Sequence, residues 1–269
     1  MSRNGQDGAL VSIGTFRMPA GTRFTQHTHR AHQLAWASHG TLTVDVASRR
    51  WVLPTTRALW IPSGVPHEVV SAGHTTMTSL YLSASPSGPG RWAAVQPVGV
   101  RPLLAELIGY LDDPGLGAEH RARGEAVFLD LLTPVTATAL ETPIPADPRA
   151  RQVARELLDD PACALAVDAW ARRVGTSGRT LARLFLAGTG MTFGRWRTLV
   201  RIQAALPALA AGEPLQRVSR GVGYETVSAF VAAFRRETGT TPGAYFGAGR
   251  KKTGVRLPAS ALCPRLPAG

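Results

Sequence analysis

The sequence predicts an α+β fold, a small antiparallel β barrel or sandwich followed by an all-helical part, and three observations carry that prediction. From Val11 to about Leu82, short β-type runs are punctuated by Gly and Pro, as where Leu42, Val44 and Val46 alternate with Thr41, Thr43 and Asp45. From Pro102 onward the spacing of Leu, Ile and Val becomes helical. Charge then divides the chain. Residues 1–148 carry 11 Arg and 11 acidic residues, whereas residues 149–269 carry 19 Lys plus Arg against 7 acidic residues and so supply the whole net charge of +12. The expected partner of the second part is a polyanion.

Taken in order, the β-rich part is expected over residues 8–85, closed by the turn-rich SASPSGPG of Ser83–Gly90. Two helices are predicted at Pro102–Leu111 and Glu119–Leu132, within a segment bounded at 98–140. ETPIPADP, Glu141–Pro148, has three prolines in eight residues and reads as a semi-rigid linker. Residues 149–247 read as helical throughout, and 248–269, with Arg250, Lys251 and Lys252 among Gly and Pro, as a disordered basic tail. A chain of 269 residues with 44% hydrophobic content can bury a core. It has no run of 18 apolar residues, and MSRNGQDGALVS lacks the layout of a signal peptide, so the expectation is a cytoplasmic protein with no membrane partner. Cys163 and Cys263 are too few and too scattered for a disulfide framework or thiolate metal site.

The basic part contains a repeated pattern. In AVDAWARRVGTSGRTLARLFLAG, Ala166–Gly188, a first helix turns Val167, Trp170, Ala171 and Val174 inward and stops at Gly175. Ser177 then caps a second helix whose buried stripe is Leu181, Leu184 and Phe185. Gly178, Arg179, Thr180, Ala182 and Arg183 are left facing out, where the recognition helix of a helix-turn-helix unit meets base edges. About fifty residues later Leu215–Val222, Gly223-Tyr224-Glu225 and Thr226–Thr238 repeat the arrangement, with Phe230, Ala233 and Phe234 inward. A connecting helix over Thr192–Ala211, about 30 Å long, is close to one turn of DNA, ~34 Å. Two such units on one helix would enter successive major grooves.

These residues resemble the AraC/XylS-type transcription regulators over roughly Arg149–Phe246. The specific part is the ending GVGYETVSAFVAAFRRETGTTPGAYF, which is similar to that family's signature around the second unit. The resemblance implies sequence-specific binding to double-stranded promoter DNA. The candidate contacts are Ser177, Arg179, Thr180, Arg183, Thr226, Val227, Ser228, Val231, Arg235 and Arg236. Arg179 and Arg183 are expected to give most base specificity, assisted by Thr180 and Ser228. Arg197, Arg201, Arg235 and Arg236 are expected as phosphate contacts or solvated surface. Val227 and Val231 can touch thymine methyls but cannot read guanine. Pro207 falls inside the connecting helix and costs up to ~3 kcal/mol unless the helix kinks or restarts.

In the β-rich part, HTHRAHQ places three of the seven histidines within six residues. Gly21-x5-His27-x-His29-x3-Gln33-x6-Gly40 resembles the first cupin motif, with Gln33 in place of the usual glutamate. Pro62-Ser63-Gly64-Val65-Pro66-His67 resembles the second, with Ser71 where asparagine is common. This resemblance implies a cupin β-barrel, with His27, His29, Gln33 and His67 as ligands of a divalent metal. A neutral amide is a weaker ligand than a carboxylate, but three imidazoles with an open position suit zinc or nickel. An ion-free effector pocket fits the same residues, and with Trp36 and Trp60 they form the candidate small-molecule site. His32, His39 and His74 have no motif role and read as surface residues. ALWIPSGVPHEV, Ala58–Val69, is similar to the ligand-binding halves of AraC-type regulators, so the resemblance reaches across both parts.

The expected function is a ligand-responsive transcription regulator rather than an enzyme, controlling a neighbouring transporter or resistance gene. The alternatives are a cupin metalloenzyme with an appended basic domain and a regulator whose effector is the metal itself. The apolar stripes of Pro102–Leu111 and Glu119–Leu132 resemble helices through which such regulators form homodimers, with packing on their own barrel as the alternative role.

Overall fold

The computed structural model describes residues 10–84, 92–135 and 141–247. Most of the Ser83–Gly90 break and the whole 248–269 tail lie outside the described residues. Eight strands come first: β1 (Leu10–Met18), β2 (Arg23–His27), β3 (His32–His39), β4 (Thr41–Val46), β5 (Arg49–Pro54), β6 (Arg57–Ile61), β7 (His67–Ser71) and β8 (Thr75–Leu82). β9 (Gln96–Gly99), α1 (Pro102–Leu111), α2 (Ala118–Leu131) and β10 (Glu141–Pro143) follow. The helical part holds α3 (Pro148–Asp159), α4 (Val167–Arg173), α5 (Gly178–Thr189), α6 (Phe193–Ala210), α7 (Leu215–Gly221), α8 (Val227–Thr238) and α9 (Pro242–Gly247).

The strands form two antiparallel five-stranded sheets, ordered β1-β8-β3-β6-β9 and β10-β5-β4-β7-β2. Among the described residues no ladder joins the sheets, so the expected closed cupin barrel is here a two-sheet sandwich. Side-chain alternation sorts the two faces of the first sheet. Ala35, Ala37, Leu59, Ile61 and Met77 face the second sheet and pack with Leu42, Val44, Trp51, Leu53 and Val69. Leu34, Trp36, Ala58, Trp60 and Leu80 face the other way and are covered by Leu104, Ile108 and Leu111 of α1 and Phe128 of α2. The predicted helices thus bury their stripes on their own sheet. Leu103, Tyr110 and Val127 remain exposed on them.

The proline-rich linker is more ordered than a semi-rigid spacer. Its first three residues pair with β5 as an edge strand, a position that tolerates proline because one side of the strand needs no ladder donor. Beyond β10, the Ile144 N–H donates to the Ser48 carbonyl at 2.7 Å, and Asp147 caps α3 by accepting from the N–H groups of Arg149 and Ala150. On the face of β5 away from the sandwich interior, Val52 joins Ile202, Ala205 and Leu206 of α6, Val218 of α7 and Phe230 of α8 in one cluster. The indole N–H of Trp196 on α6 donates to the Pro143 carbonyl at 2.8 Å. The helical part is therefore seated on the second sheet through α6. That helix runs unbroken through Pro207, which stands three residues before its last residue, Ala210, and removes one backbone donor there.

Candidate functional site

Two arrangements of side chains stand out, one helical and one imidazole. In the helical part, α4 and α5 meet at a tight turn made by Gly175, whose φ of 65° lies in the left-handed region. Trp170 and Ala171 of α4 and Leu181 and Phe185 of α5 are buried together, which fixes the angle between the helices. Gly178 lets them close further: a Cβ there would lie 1.8 Å from Asp168 Oδ1. Ser177 Oγ accepts the Thr180 N–H at 3.2 Å and donates to Thr180 Oγ1 at 3.0 Å. α5 ends at Gly190, with φ 70°, and the Thr189 hydroxyl donates back to the Phe185 carbonyl.

α7 and α8 repeat each device. Gly223, φ 82°, makes the turn, and Thr226 Oγ1 accepts the Ala229 N–H at 3.2 Å. Phe230, Ala233 and Phe234 are buried, Gly239 ends the helix at φ 79°, and the Thr238 hydroxyl donates to the Phe234 carbonyl. The turn glycines lie 48 positions apart and the caps 49, so the second turn is longer by one residue, Glu225.

Their outer faces differ. On α5, Arg179 and Arg183 are exposed and Thr180 is half-buried, its oxygen already held by Ser177. On α8, Ser228, Ala232, Arg235 and Arg236 are exposed and Val227 and Val231 half-buried, lining with Thr241 an open groove of about 740 Å³. Ser177 and Thr226 act first as caps, because their oxygens complete the first turns of α5 and α8.

Arg201 departs from the expected phosphate or solvent role. Its Nε–H and Nη2–H groups donate to the carbonyls of Pro161 and Cys163, and its guanidinium lies 5.5 Å from the Tyr224 ring. Arg197 likewise donates to the Leu165 carbonyl and lies over Phe193. Both tie the loop before α4 to α6. An arginine one helical turn from another reads from sequence as surface charge, and only tertiary structure shows these carbonyl partners.

The imidazole arrangement lies at one end of the sandwich. β2 ends at His27, the β2–β3 connection brings His29, and β7 begins at His67, paired directly with His27. One ring nitrogen from each lies within 4.8 Å of the others. The Nδ1–H of His27 donates to the Thr25 carbonyl at 2.6 Å and that of His67 to the Val65 carbonyl at 3.0 Å, so in both rings Nε2 is the nitrogen left free of the backbone. Nε2 of His29 and of His67 are buried and have no described partner. Burial, reinforced by repulsion that a charged ring would meet from the neighbouring His27 and His67 imidazoles, lowers the His29 pKa to about 4. Burial also lowers that of His67, against a raising hydrogen bond to Val65. Both are neutral imidazoles near pH 7.

Gln33 projects into the interior from β3, where Nε2–H donates to Ser79 Oγ at 2.9 Å and Oε1 is left buried without a partner. Tyr81, paired with Gln33 across the sheet, brings its ring within 4.9 Å of His29, a neighbour the motif does not mark. The structure does not bring Trp36 and Trp60 to this site. They lie on the opposite face of the first sheet, with their indole N–H groups donating to the carbonyls of Thr55 and Trp92 respectively. Trp36 is three positions from Gln33, an odd number, which on a strand means opposite faces. His32 is not a free surface residue either, since it accepts the Ser63 N–H and stacks on Trp60.

A β-rich half with a cluster of imidazoles, attached to a basic half of capped helix pairs, defines a two-part class of protein, and comparison with known proteins agrees with that division. The model of the AraC-like ligand binding domain matches residues 10–122, and that of a helix-turn-helix domain matches residues 170–248. The chain is 31% identical over 222 residues to the HTH-type transcriptional regulator NimR of Escherichia coli (strain K12), spanning 81% of each chain. It is 37% identical over 122 residues to the HTH-type transcriptional regulator RipA of Corynebacterium glutamicum, spanning 44% of this chain and 37% of that one. A crystal structure of ToxT from Vibrio cholerae aligns with 88% of this chain and 98% of its own at 11% identity and a TM-score of 0.37. The chain belongs to the AraC-type family of helix-turn-helix transcriptional regulators. Among the described residues no helix is long and apolar enough to cross a membrane.

Proposed function

We propose that α4/α5 and α7/α8 are two helix-turn-helix units that place α5 and α8 in successive major grooves of promoter DNA. The observation that carries this reading is the repetition of turn glycine, cap and helix stop on either side of α6. α6 has 18 residues. At that length it runs about 27 Å, near the ~34 Å of one duplex turn. Arg179 and Arg183 on α5 read bases, Thr180 and Ser228 assist, Val227 and Val231 meet thymine methyls, and Arg235 and Arg236 meet phosphates. The units that work in this way are a sensor over 8–85, a helical segment over 98–140 and the reader over 149–247. A homodimer through the exposed Leu103, Tyr110 and Val127 would offer four reading helices to one promoter. A neighbouring transporter or resistance gene is the expected target.

The sandwich is the sensor, and its small-molecule site lies beside His27, His29, Gln33 and His67. The matched relatives are named as regulators, which supports this reading over a cupin metalloenzyme. A signal has a short route outward, because β5 of the sensor, and β10 paired with it, touch α6 of the reader through Val52 and Pro143. Coupling of ~1–3 kcal/mol suffices, and operator DNA must then change effector affinity by the same factor. Selection from a randomised duplex library by the full chain should return a consensus, and Arg179→Ala with Arg183→Ala should erase part of it. An unchanged consensus would refute the assignment of α5.

A second reading, in which a zinc or nickel ion is itself the effector, is favoured by the unpartnered Nε2 atoms of His29 and His67 and the unpartnered Oε1 of Gln33. The residues fit such an ion: His27, His29 and His67 would hold it through ring nitrogens, with Gln33 as a weaker oxygen donor. It would act there as a structural tie between β2 and β7. DNA affinity measured with and without zinc, and with no organic compound, separates the two readings.

A further inference from the structure

Between α6 and α8 lies a charged device that neither the base-reading faces nor the histidine trio uses. Glu237, in the last turn of α8, has a side chain only 4% exposed. A buried carboxylate is costly unless it is paired, and this one is paired twice. Arg195 of α6 donates from Nε to Oε2 at 3.4 Å, and Arg236 of α8 donates from Nε to Oε1 at 3.3 Å. Each arginine thereby commits its Nε edge to the shared carboxylate. Among the described residues no hydrogen bond or ion pair engages the Nη groups of either.

Both guanidinium side chains remain more than half exposed and, with Gly194, Thr198 and Glu237, line an open groove of about 390 Å³. Gly194 keeps one wall open, since a Cβ there would meet nothing within 4 Å. Two cations against one anion leave the groove with a surplus positive charge. The Nη forks are held in direction by Glu237, and paired forks of this kind suit the oxygens of a phosphate better than a single mobile cation does. Arg236 also lines the groove over the outer face of α8, so the two grooves adjoin. Only two residues separate Gly190, which stops α5, from the start of α6, and this places the charge between the two helix pairs.

We propose that this groove takes one backbone phosphate of duplex DNA lying between the two major grooves, with Arg195 and Arg236 contacting it and Glu237 as their positioning residue. The proposal rests on the DNA-reading function above and adds to it a fixed anchor that sets the register of both reading helices without reading sequence.

The test uses the full chain and a duplex selected from a randomised library, in which single phosphates are replaced in turn by uncharged methylphosphonate. One position between the two reading sites, or two adjacent ones, should weaken wild-type binding on the order of tenfold. The variant Arg195→Gln, Arg236→Gln, Glu237→Gln leaves no buried carboxylate unpaired and should be indifferent to the same replacement. Glu237→Gln alone keeps both cations but loosens their forks, and should lose sensitivity at that phosphate without reducing the salt dependence of binding. If the triple variant fails to fold, Arg195→Gln, which leaves Arg236 on Glu237, should lose part of the sensitivity at the same position. No sensitive phosphate between the sites, or equal sensitivity in wild type and variants, overturns the anchor and leaves the reading function standing. Failure to select any duplex overturns both.

Discussion

α4/α5 and α7/α8 are built alike and surfaced differently. Each pair turns on a left-handed glycine, starts its second helix with a hydroxyl cap and stops it with another left-handed glycine. The outward positions share little. α5 offers two exposed arginines in its first two turns, whereas α8 offers Ser228 and Ala232 there and keeps its arginines for the end. Repeated caps and turns belong to the scaffold, which must satisfy the same backbone groups in each copy. The outward residues contribute little to folding, so each copy is free to diverge. The proposed reading accordingly puts base discrimination mainly on α5 and backbone attachment mainly on α8.

The largest expected effect separates the two turn glycines. At Gly223 an alanine would suffer left-handed strain and also meet the Ala162 carbonyl and Arg201 Nη2 at 2.9 Å. That substitution should cost about 3 kcal/mol of unfolding free energy, combining ~1–2 kcal/mol of strain with crowding. A Cβ at Gly175 would meet nothing within 4 Å, and Gly175→Ala should cost only about 1 kcal/mol, all of it strain. Equal losses in urea unfolding would show that the second turn is not crowded. Next comes DNA discrimination. Arg179→Ala and Arg183→Ala should each cost ~1–3 kcal/mol against the preferred base at one position, while Ser228→Ala should cost less than ~1 kcal/mol. A larger loss from Ser228→Ala, seen in competition binding, would reverse the assignment.

The caps should show the common scaffold. Ser177→Ala and Thr226→Ala should each lower stability by about 1 kcal/mol, and by nearly the same amount, because each removes one acceptor from an exposed first turn. Thermal midpoints that differ widely would mean that the two caps carry different loads. The smallest effect concerns Arg235, exposed on α8 and without a described partner. Arg235→Gln should leave sequence preference alone and reduce the slope of log affinity against log salt by about 0.9, the loss of one phosphate contact. A changed preference would place Arg235 on a base edge instead.

Much of this was legible along the chain. The cap at Ser177, the inward stripe of Phe230, Ala233 and Phe234, and the grouping of His27, His29 and His67 depend on local periodicity and short spacings, which sequence displays directly. What was not legible depended on distance in space. Trp36 and Trp60 look like pocket walls when counted with the histidines, yet strand parity turns them to the other face. Arg201 looks like a phosphate ligand until the loop carbonyls of Pro161 and Cys163 are seen beside it. β10 hides in a proline-rich stretch because its ladder partner, β5, lies ninety residues earlier. A closed barrel and a two-sheet sandwich share the same alternation, so only the ladders distinguish them. Glu237 gave no signal at all, since a glutamate in a basic helix reads as solvated surface.

The proposed division of labour between α5 and α8 is open to direct test. Its decisive measurement is the affinity of the full chain for a selected duplex in which every base pair is replaced in turn by the other three. We expect losses of tenfold or more, ~1.4 kcal/mol, at a few consecutive base pairs under α5. The groove one helical turn away should tolerate most replacements, apart from modest preferences for thymine. Equal or steeper discrimination in the second groove would contradict the account, because the side chains that α8 turns outward could not then be the ones that meet the bases.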